Sequence, residues 1–280
     1  MFDFRHLREW SRYAIDDVKS YRQSDPNTIY LLSFPKSGVT WLKFMLIQLL
    51  IKAYDIEYEP TVDLNKLSRE NKQLPKIIWT HGDSQIISEK GICNDVEQLF
   101  IYGGRLRYRK NRVILLVRDP RDVVVSHYHQ VTRRSDIPLK FDSISEFVQH
   151  QHYGIQRIIR FYQVWNKNRW ILRKLLIVRY EDLMTDGPTI LARILNFINV
   201  NDIDSNLVNQ VYEISQADKM RKLEIQGKVK GMRAFGTERN TLKVRRAKIG
   251  SYKDELSNED IQYCNKLMKK LPTIYGYLVD

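Results

Sequence analysis

Ile29-Tyr-Leu-Leu-Ser-Phe-Pro35-Lys36-Ser37-Gly38-Val39-Thr40-Trp41 is the stretch on which the reading of this chain turns. An apolar, β-rich run ends in a short turn carrying Lys, Ser, Gly and Thr, and a strongly apolar helix-like run begins at Trp41. A strand, a tight turn and a helix in that order aim the helix's unpaired N–H groups and positive end at whatever occupies the turn. Oxyanions bind well there, and Lys36 adds a mobile cation. The nucleotide P-loop pattern G-x-x-x-x-G-K-[ST] would need glycines where Tyr30 and Pro35 stand. Here Gly38 follows the lysine instead, which makes this a phosphate-type loop of another kind.

At 280 residues, 43% hydrophobic and 28% charged, the composition is that of a soluble globular chain. The formal charge of +13 points to an anionic partner: nucleic acid, a membrane surface or a small polyanion. Cys93 and Cys264 are too few for a disulfide framework and lack metal-ligand spacing, so a reducing, cytoplasmic setting is expected. The opening residues Met1 to Trp10 mix charges throughout and have no signal-peptide core. The longest apolar run, Phe44 to Ile51, is broken by Gln48 and bounded by Lys43 and Lys52, far short of the ~20 residues of a membrane span.

Ile29–Ser33, Lys76–Thr80, Val113–Val117 and Leu175–Arg179 read as strands, nearly continuous in Ile, Leu and Val as strands covered on both faces should be. Helical patterns occupy Trp41–Ala53, Arg121–Val131, Ile144–Trp165, Thr189–Ile198, Asn206–Leu223 and Asn258–Leu271. The alternation predicts an α/β fold with a central parallel sheet flanked by helices. No repeat, low-complexity tract or Pro/Gly-rich linker divides the chain, so one domain over residues 1–280 is expected. Glu89–Tyr108 resists assignment, and the basic stretch Lys222–Lys248 reads as a mobile cationic lid.

Three further segments carry chemistry. In parallel sheets, ligand groups gather at the carboxyl ends of strands. Arg118 stands there after Val117, and Ser126 lies about two turns into the following helix; a guanidinium and a hydroxyl can together grip a phosphate. Taken alone, the same residues equally fit a strand-end salt bridge with a capping aspartate. Thr80-His81 ends another strand: a lone histidine is more often structural than catalytic, but that position raises the odds of His81 as a general base. Arg245-Arg246-Ala247-Lys-Ile-Gly250-Ser-Tyr252-Lys253 alone would be a solvated basic run.

In order and spacing these segments resemble the sulfotransferases that use 3′-phosphoadenosine 5′-phosphosulfate (PAPS). Pro35 to Trp41 is similar to the family's 5′-phosphosulfate loop P-K-[ST]-G-T-T-W, and Arg118 to Ser126 to its 3′-phosphate motif R-[ND]-P-[KR]-D-x-x-x-S. Thr80-His81 resembles the T-H that supplies the base, and Tyr180-Glu-Asp-Leu183 the Y-E-D-L whose tyrosine lies by the adenine. Arg245 to Lys253 resembles R-K-G-x-x-G-x-W-K, with Arg246, Ala247 and Tyr252 as substitutions. The resemblance implies Lys36 and His81 as catalytic residues. It implies a donor site of Lys36, Ser37, Gly38, Val39, Thr40, Trp41, Arg118, Ser126, Tyr180, Ser215, Arg245, Arg246 and Ala247. It further implies PAPS as donor, the bisphosphate PAP as product, no metal, and a hydroxyl or amine acceptor on a small molecule, lipid or glycan.

The chain also departs from the family. Val39 replaces a threonine, and Trp79 stands where cytosolic members often carry a lysine, so catalytic electrostatics rest more on Lys36. Thr80-His81 is followed by Gly82-Asp83-Ser84, which makes the acceptor side different, and Ala217 replaces an adenine-packing phenylalanine. The dimer motif of many cytosolic members is not visible after Lys253, so their dimer is not carried over. The acceptor loops are expected at Asp83–Glu89, Val131–Asp142 and Gly227–Arg239, with Asp83 or Glu89 as the next bases should His81 not serve. A kinase with a P-loop-like site, a nucleic-acid-binding protein and a non-catalytic nucleotide binder are the competing readings. The kinase lacks P-loop glycines and Mg²⁺ ligands, and the cations gather at strand ends, where they suit a small polyanion better than a nucleic acid.

Overall fold

The computed structural model describes residues 22–82, 108–232, 234–238 and 241–279, together with residue 19. The Ile/Leu/Val runs form β1 (Ile29–Ser33), β2 (Ile77–Thr80), β3 (Arg112–Val117) and β4 (Lys174–Arg179). They make one parallel sheet in the order β2-β1-β3-β4, with Ile29 between Ile77 and Arg112, and Arg112 beside Lys174. The helices are α1 (Val39–Ala53), α2 (Leu64–Glu70), α3 (Pro120–Arg133), α4 (Ile144–Gln149), α5 (Ile155–Lys167), α6 (Tyr180–Thr185), α7 (Gly187–Phe197), α8 (Ser205–Ile214), α9 (Ala217–Ile225) and α10 (Asn258–Met268).

Alternation along each strand sends neighbouring side chains to opposite faces. Leu32, Val113, Leu115 and Val117 pack with Val123–Val125 of α3, Phe161 of α5 and Met268 of α10. Leu31, Ile114, Leu116 and Val178 pack instead with Leu42 and Leu46 of α1, Leu191 of α7 and Val211 of α8. Each fully buried aliphatic side chain contributes roughly 1.5–3 kcal/mol, and two such cores clamp the sheet from both sides. After β1 the chain moves outward to β2, then crosses back to lay β3 on the other edge of β1. The carboxyl ends of β1 and β3 therefore flank the point where winding reverses, and a crevice opens there. No helix among the described residues is long and apolar enough to cross a membrane.

The strands and most helices lie where the residue patterns put them; α2 and α6 fall outside those patterns, and there are three further differences. The pattern over Ile144–Trp165 is two helices, because His150 leaves the helical region and Gly154 starts α5 from an extended conformation. A Cβ on Gly154 would sit 2.3 Å from the Val148 carbonyl oxygen, so the chain can fold back here only through a glycine. The pattern over Asn206–Leu223 is likewise split, at Ser215-Gln216, where Gln216 turns extended. The basic stretch expected to be a lid is pinned in its described part: Val229 and Met232 are buried against Phe44 and Met220, and Lys230 exchanges backbone hydrogen bonds with Pro60 and Val62. Asp83, Glu89, Cys93, Arg239 and all of Glu89–Tyr108 except Tyr108 lie outside the described residues.

The buried His127 of α3 ties the fold to pH. Its ring packs edge-on against Phe34 and Phe147, with centroids 6.2 and 5.5 Å away. Burial, and then the charge of Arg157, pull its pKa down to about 4. A depressed value means the stability held by neutral His127 is complete above the unfolded value of about 6.5 and is lost as pH falls through the folded one. Denaturant melts at a series of pH values should show wild type losing up to about 3 kcal/mol more than His127→Gln across that window. Parallel curves for the two proteins would contradict this.

Candidate active site

The turn after β1 is strained into shape. Lys36 has φ 73° and Gly38 φ 94°, both left-handed. Gly38 caps α1, and its carbonyl accepts from Trp41 N at 3.0 Å and Leu42 N at 3.2 Å. The N–H groups of the first α1 residues, Val39 and Thr40, have no intrahelical acceptor and point out of the helix end. A Cβ on Gly38 would lie 2.5 Å from the Tyr180 ring, so the loop needs glycine both for its dihedral and for that contact. Trp41 locks the far side by donating its indole N–H to the Ser215 carbonyl at 2.7 Å.

Arg118 follows β3 and faces this turn. The buried Tyr162 hydroxyl accepts from Arg118 N at 2.9 Å and donates to Arg118 O at 2.7 Å, fixing the strand end. The guanidinium lies over the Tyr180 ring at 4.3 Å, with Asp122 at 3.6 Å. Its Nε is buried without a hydrogen-bond partner. Asp119 caps α3 by accepting from Arg121 N, and Pro120 sits where the missing N–H costs nothing. Asp122 accepts from Gly250 N at 2.9 Å, Ser251 Oγ at 3.0 Å and Tyr252 N at 3.0 Å. That anchor brings the distant segment Arg245-Arg246-Ala247 to the cleft.

Arg245 is held at 2.6 Å by Glu255, which also meets His129 Nε2 at 2.5 Å. Burial alone would raise the Glu255 carboxyl, but the bonds from His129 and Arg245 hold it down at about 2. Arg246 pairs with Asp254 at 2.7 Å, and Ala247 takes φ 50°. Glu224 of α9 is fully buried; it accepts from the backbone N–H of Lys243 at 2.6 Å and of Val244 at 3.2 Å, and lies 3.8 Å from Arg134.

His81 lies across the cleft at the end of β2. Its Nδ1 is 3.0 Å from the Ser33 carbonyl, which accepts the Nδ1 proton and leaves the Nε2 lone pair free. Burial lowers its pKa against the Ser33 bond, and the charges of Lys43, Arg157 and Lys36 lower it further. Lys36 donates to Gln130 Oε1 at 3.1 Å, an oxygen shared with Arg134 at 2.6 Å. Burial, then Arg134, Lys243 and Arg118, push the Lys36 ammonium well below its ordinary value, with Glu224 opposing. Lys43 is brought to about 8 by burial and then Lys243.

Of the residues singled out from sequence, Lys36, Gly38, Val39, Thr40, Trp41, His81, Arg118, Ser126, Tyr180, Arg245, Arg246 and Ala247 line one cleft of about 570 Å³. Two of them do not. Ser37 is fully buried with its side chain beside Tyr162, and the Ser215 hydroxyl donates back to Val211 O at 2.6 Å within its own helix. The Ser215 hydroxyl is used up on local geometry and only its carbonyl serves the site, by way of Trp41, while the Ser37 hydroxyl is buried without a hydrogen-bond partner among the described residues. The cleft adds Lys43, Lys243 and Gln130, which sequence reading passed over. Lys43 carried a signal: it stands four residues after Val39, on the same face of a helix whose other buried residues are apolar. Among the described lining residues Asp63 is the one carboxylate. Crowded cations, an orphaned guanidinium nitrogen and a glycine cradle fit a ligand with several anionic groups, such as a nucleotide bearing both a phosphosulfate and a second phosphate.

A family model for the sulfotransferase domain matches residues 26–275. The flavonol 4′-sulfotransferase of Flaveria chlorifolia is 21% identical, over 99% of this chain and 88% of its own length. The flavonol 3-sulfotransferase of Flaveria bidentis is 23% identical, over 88% and 82%, and cytosolic sulfotransferase 15 of Arabidopsis thaliana 22%, over 91% and 74%. Among solved structures, a mouse sulfotransferase complexed with PAP superposes with a TM-score of 0.61 at 18% identity, covering 93% of this chain and 92% of that one. Retinol dehydratase with androsterone and PAP gives 0.59 at 17%, covering 92% and 84%. Both solved structures share this chain's fold.

Asp122 does not line the cleft yet seats both halves of the cation cluster. Asp122→Ala leaves two backbone N–H groups, one hydroxyl and one guanidinium without their acceptor. Breaking such a buried network should cost about 3 kcal/mol, read as a drop in Tm. It should also weaken binding of PAP more than Asp122→Asn does, since the amide keeps an acceptor oxygen. Unchanged PAP affinity in the alanine variant would detach the Gly250–Tyr252 anchor from the site.

Proposed function

The chain belongs to the sulfotransferase family, and on that premise we propose that it moves a sulfuryl group from PAPS to an acceptor hydroxyl, or an amine, releasing PAP. The observation that carries the reading is the meeting of the Lys36 turn, Arg118 and Arg245–Arg246 at one reversal point of the sheet, with His81 opposite. The turn suits the 5′-phosphosulfate: the Val39 and Thr40 amides and the Lys36 ammonium converge there. Arg118, Arg245, Arg246 and Ser126 suit the 3′-phosphate, since guanidinium forks make strong charge-assisted bonds to a dianion. The Tyr180 ring, with Trp41 packed edge-on at 5.8 Å, supplies an aromatic wall for the adenine. PAP in the related solved structures supports the donor.

In the transfer step the acceptor oxygen attacks sulfur on the side opposite the 5′-phosphate. The O–S bond forms as the bond from sulfur to the bridging oxygen breaks, and that electron pair leaves on the phosphate of PAP. His81 Nε2 takes the acceptor's proton. Charge grows on the sulfonate oxygens and the leaving oxygen, where the helix-end amides and Lys36 stabilise it more than they stabilise the ground state. Burial and the neighbouring cations lower Lys36's proton affinity, and an arriving anion offsets the latter, which favours the charged lysine that the step needs. Relatives named for flavonols and as cytosolic enzymes support a small-molecule acceptor and a cytoplasmic setting.

Calorimetry with PAP and with AMP tests the donor assignment, because the two differ at the 3′-phosphate. PAP should bind at least about a hundredfold more tightly, two or three charge-assisted bonds being at stake, and Arg118→Ala should erase most of that gap. Equal affinities would break the assignment of Arg118, Ser126, Arg245 and Arg246 to the 3′-phosphate. With an acceptor found by screening phenols, flavonols and glycans, Lys36→Ala should lower kcat more than PAP affinity. His81→Ala should cost about 10²–10⁴-fold in rate while the protein still binds PAP. Since the His81 pKa is lowered, kcat/KM should stay flat below pH ~6.5 before its acid limb begins. A limb starting above that value would assign the base elsewhere.

A further inference from the structure

Lys43 has no obvious reason to be where it is. It is 6% exposed, in a helix whose neighbouring positions Leu42, Phe44, Met45 and Leu46 are all buried apolar residues. Its ammonium lies 3.6 Å from the centroid of the Trp79 ring, and no carboxylate or carbonyl among the described residues takes a hydrogen bond from it. A cation–π contact of this sort contributes about 0.5–2 kcal/mol, well short of the several kcal/mol needed to keep an ammonium out of water. Salt-bridging is no answer either: Asp63 is near enough to raise its pKa but forms no ion pair with it. An ammonium on the wall of an anion cleft, with an aromatic face behind it and no hydrogen-bonded acceptor among the described residues, is placed to take its acceptor from the ligand.

The direction it faces says which one. Helical side chains tilt back toward the N-terminus, so Lys43, one turn inside α1, reaches toward the same opening as the Val39 and Thr40 amides. On its other side Trp79 packs edge-on to His81 at 5.0 Å. Lys43 is thus between the anion loop and the base, and it lines the same cleft as Lys36. Resting on the sulfotransferase reading above, the geometry points to Lys43 as a further catalytic residue: its ammonium holds a non-bridging oxygen of the transferring sulfonate, on the side of the group remote from Lys36. Lys36 then follows the leaving oxygen, and Lys43 follows the SO3 moiety towards the acceptor. Its charge adds to the burial that lowers the His81 pKa.

PAP lacks the sulfonate that PAPS carries, so the pair separates this role from nucleotide binding without any knowledge of the acceptor. Lys43→Met fills the same apolar volume, and its PAP affinity by calorimetry should stay within about twofold of wild type, while PAPS affinity falls roughly tenfold with the lost charge-assisted bond. Turnover of PAPS with the acceptor found by screening should fall about 10²-fold or more, and Lys43→Arg should recover most of both losses. Equal changes for PAP and PAPS, or a Lys43→Met variant with wild-type turnover, would overturn the assignment. Wild type binding neither nucleotide would instead defeat the sulfotransferase reading itself.

Discussion

One buried carboxylate holds the parts of this cleft together. Asp122 is 1% exposed, stands one turn into α3, and satisfies donors from Gly250, Ser251 and Tyr252 while facing Arg118. Those donors lie about 130 residues away in sequence, so loop closure must be bought back locally, and a fully satisfied carboxylate in low dielectric is a strong way to do so. Without it the Gly250–Tyr252 segment that follows the two arginines would lose the contact that seats it beside Arg118. The anion cleft is thus a tertiary product, tied to the sheet through the same core that Tyr252 enters.

The second constraint is the accumulation of positive charge. Lys36, Lys43, Arg118, Lys243, Arg245 and Arg246 share one cavity, with Asp63 as the single described acid on its wall. The protein tolerates this because several members are held in check from behind. Glu255 steadies Arg245, Asp254 steadies Arg246, and Glu224 grips the backbone just before them. Those carboxylates sit outside the cleft, so they position the cations without neutralising the side that a ligand meets. Such pre-arranged charge needs little reorganisation when an anion enters.

The sheet and its two-sided core were legible because strands buried on both faces are written as unbroken Ile/Leu/Val runs, and all four fall within a residue of their patterns. The cleft residues at strand ends were legible for a related reason: a polar cluster directly after such a run marks the carboxyl edge. Less was readable where structure depends on a single dihedral or a contact at long range. The break before Gly154 rests on three carbonyl oxygens crowding one Cα, and nothing in apolar periodicity reports that. The short helices α2 and α6 are too brief to show a period. Lys43 was passed over because, in a sequence, a lysine beside an apolar run looks like its boundary, whereas burial over Trp79 is visible only in three dimensions.

The partner given to Lys36 has a consequence for how the empty protein behaves. Gln130 offers a neutral amide oxygen, already shared with Arg134, so the lysine's tether is worth only about 0.5–1.5 kcal/mol. An arriving anion therefore displaces very little. Had a glutamate stood at this place in α3, its carboxylate would have sat within reach of both cations as a permanent tenant. The protein would then carry its own competitive inhibitor, and every ligand would have to evict a charge before binding one. An uncharged side chain at position 130 keeps the lysine oriented and the site vacant in the electrostatic sense.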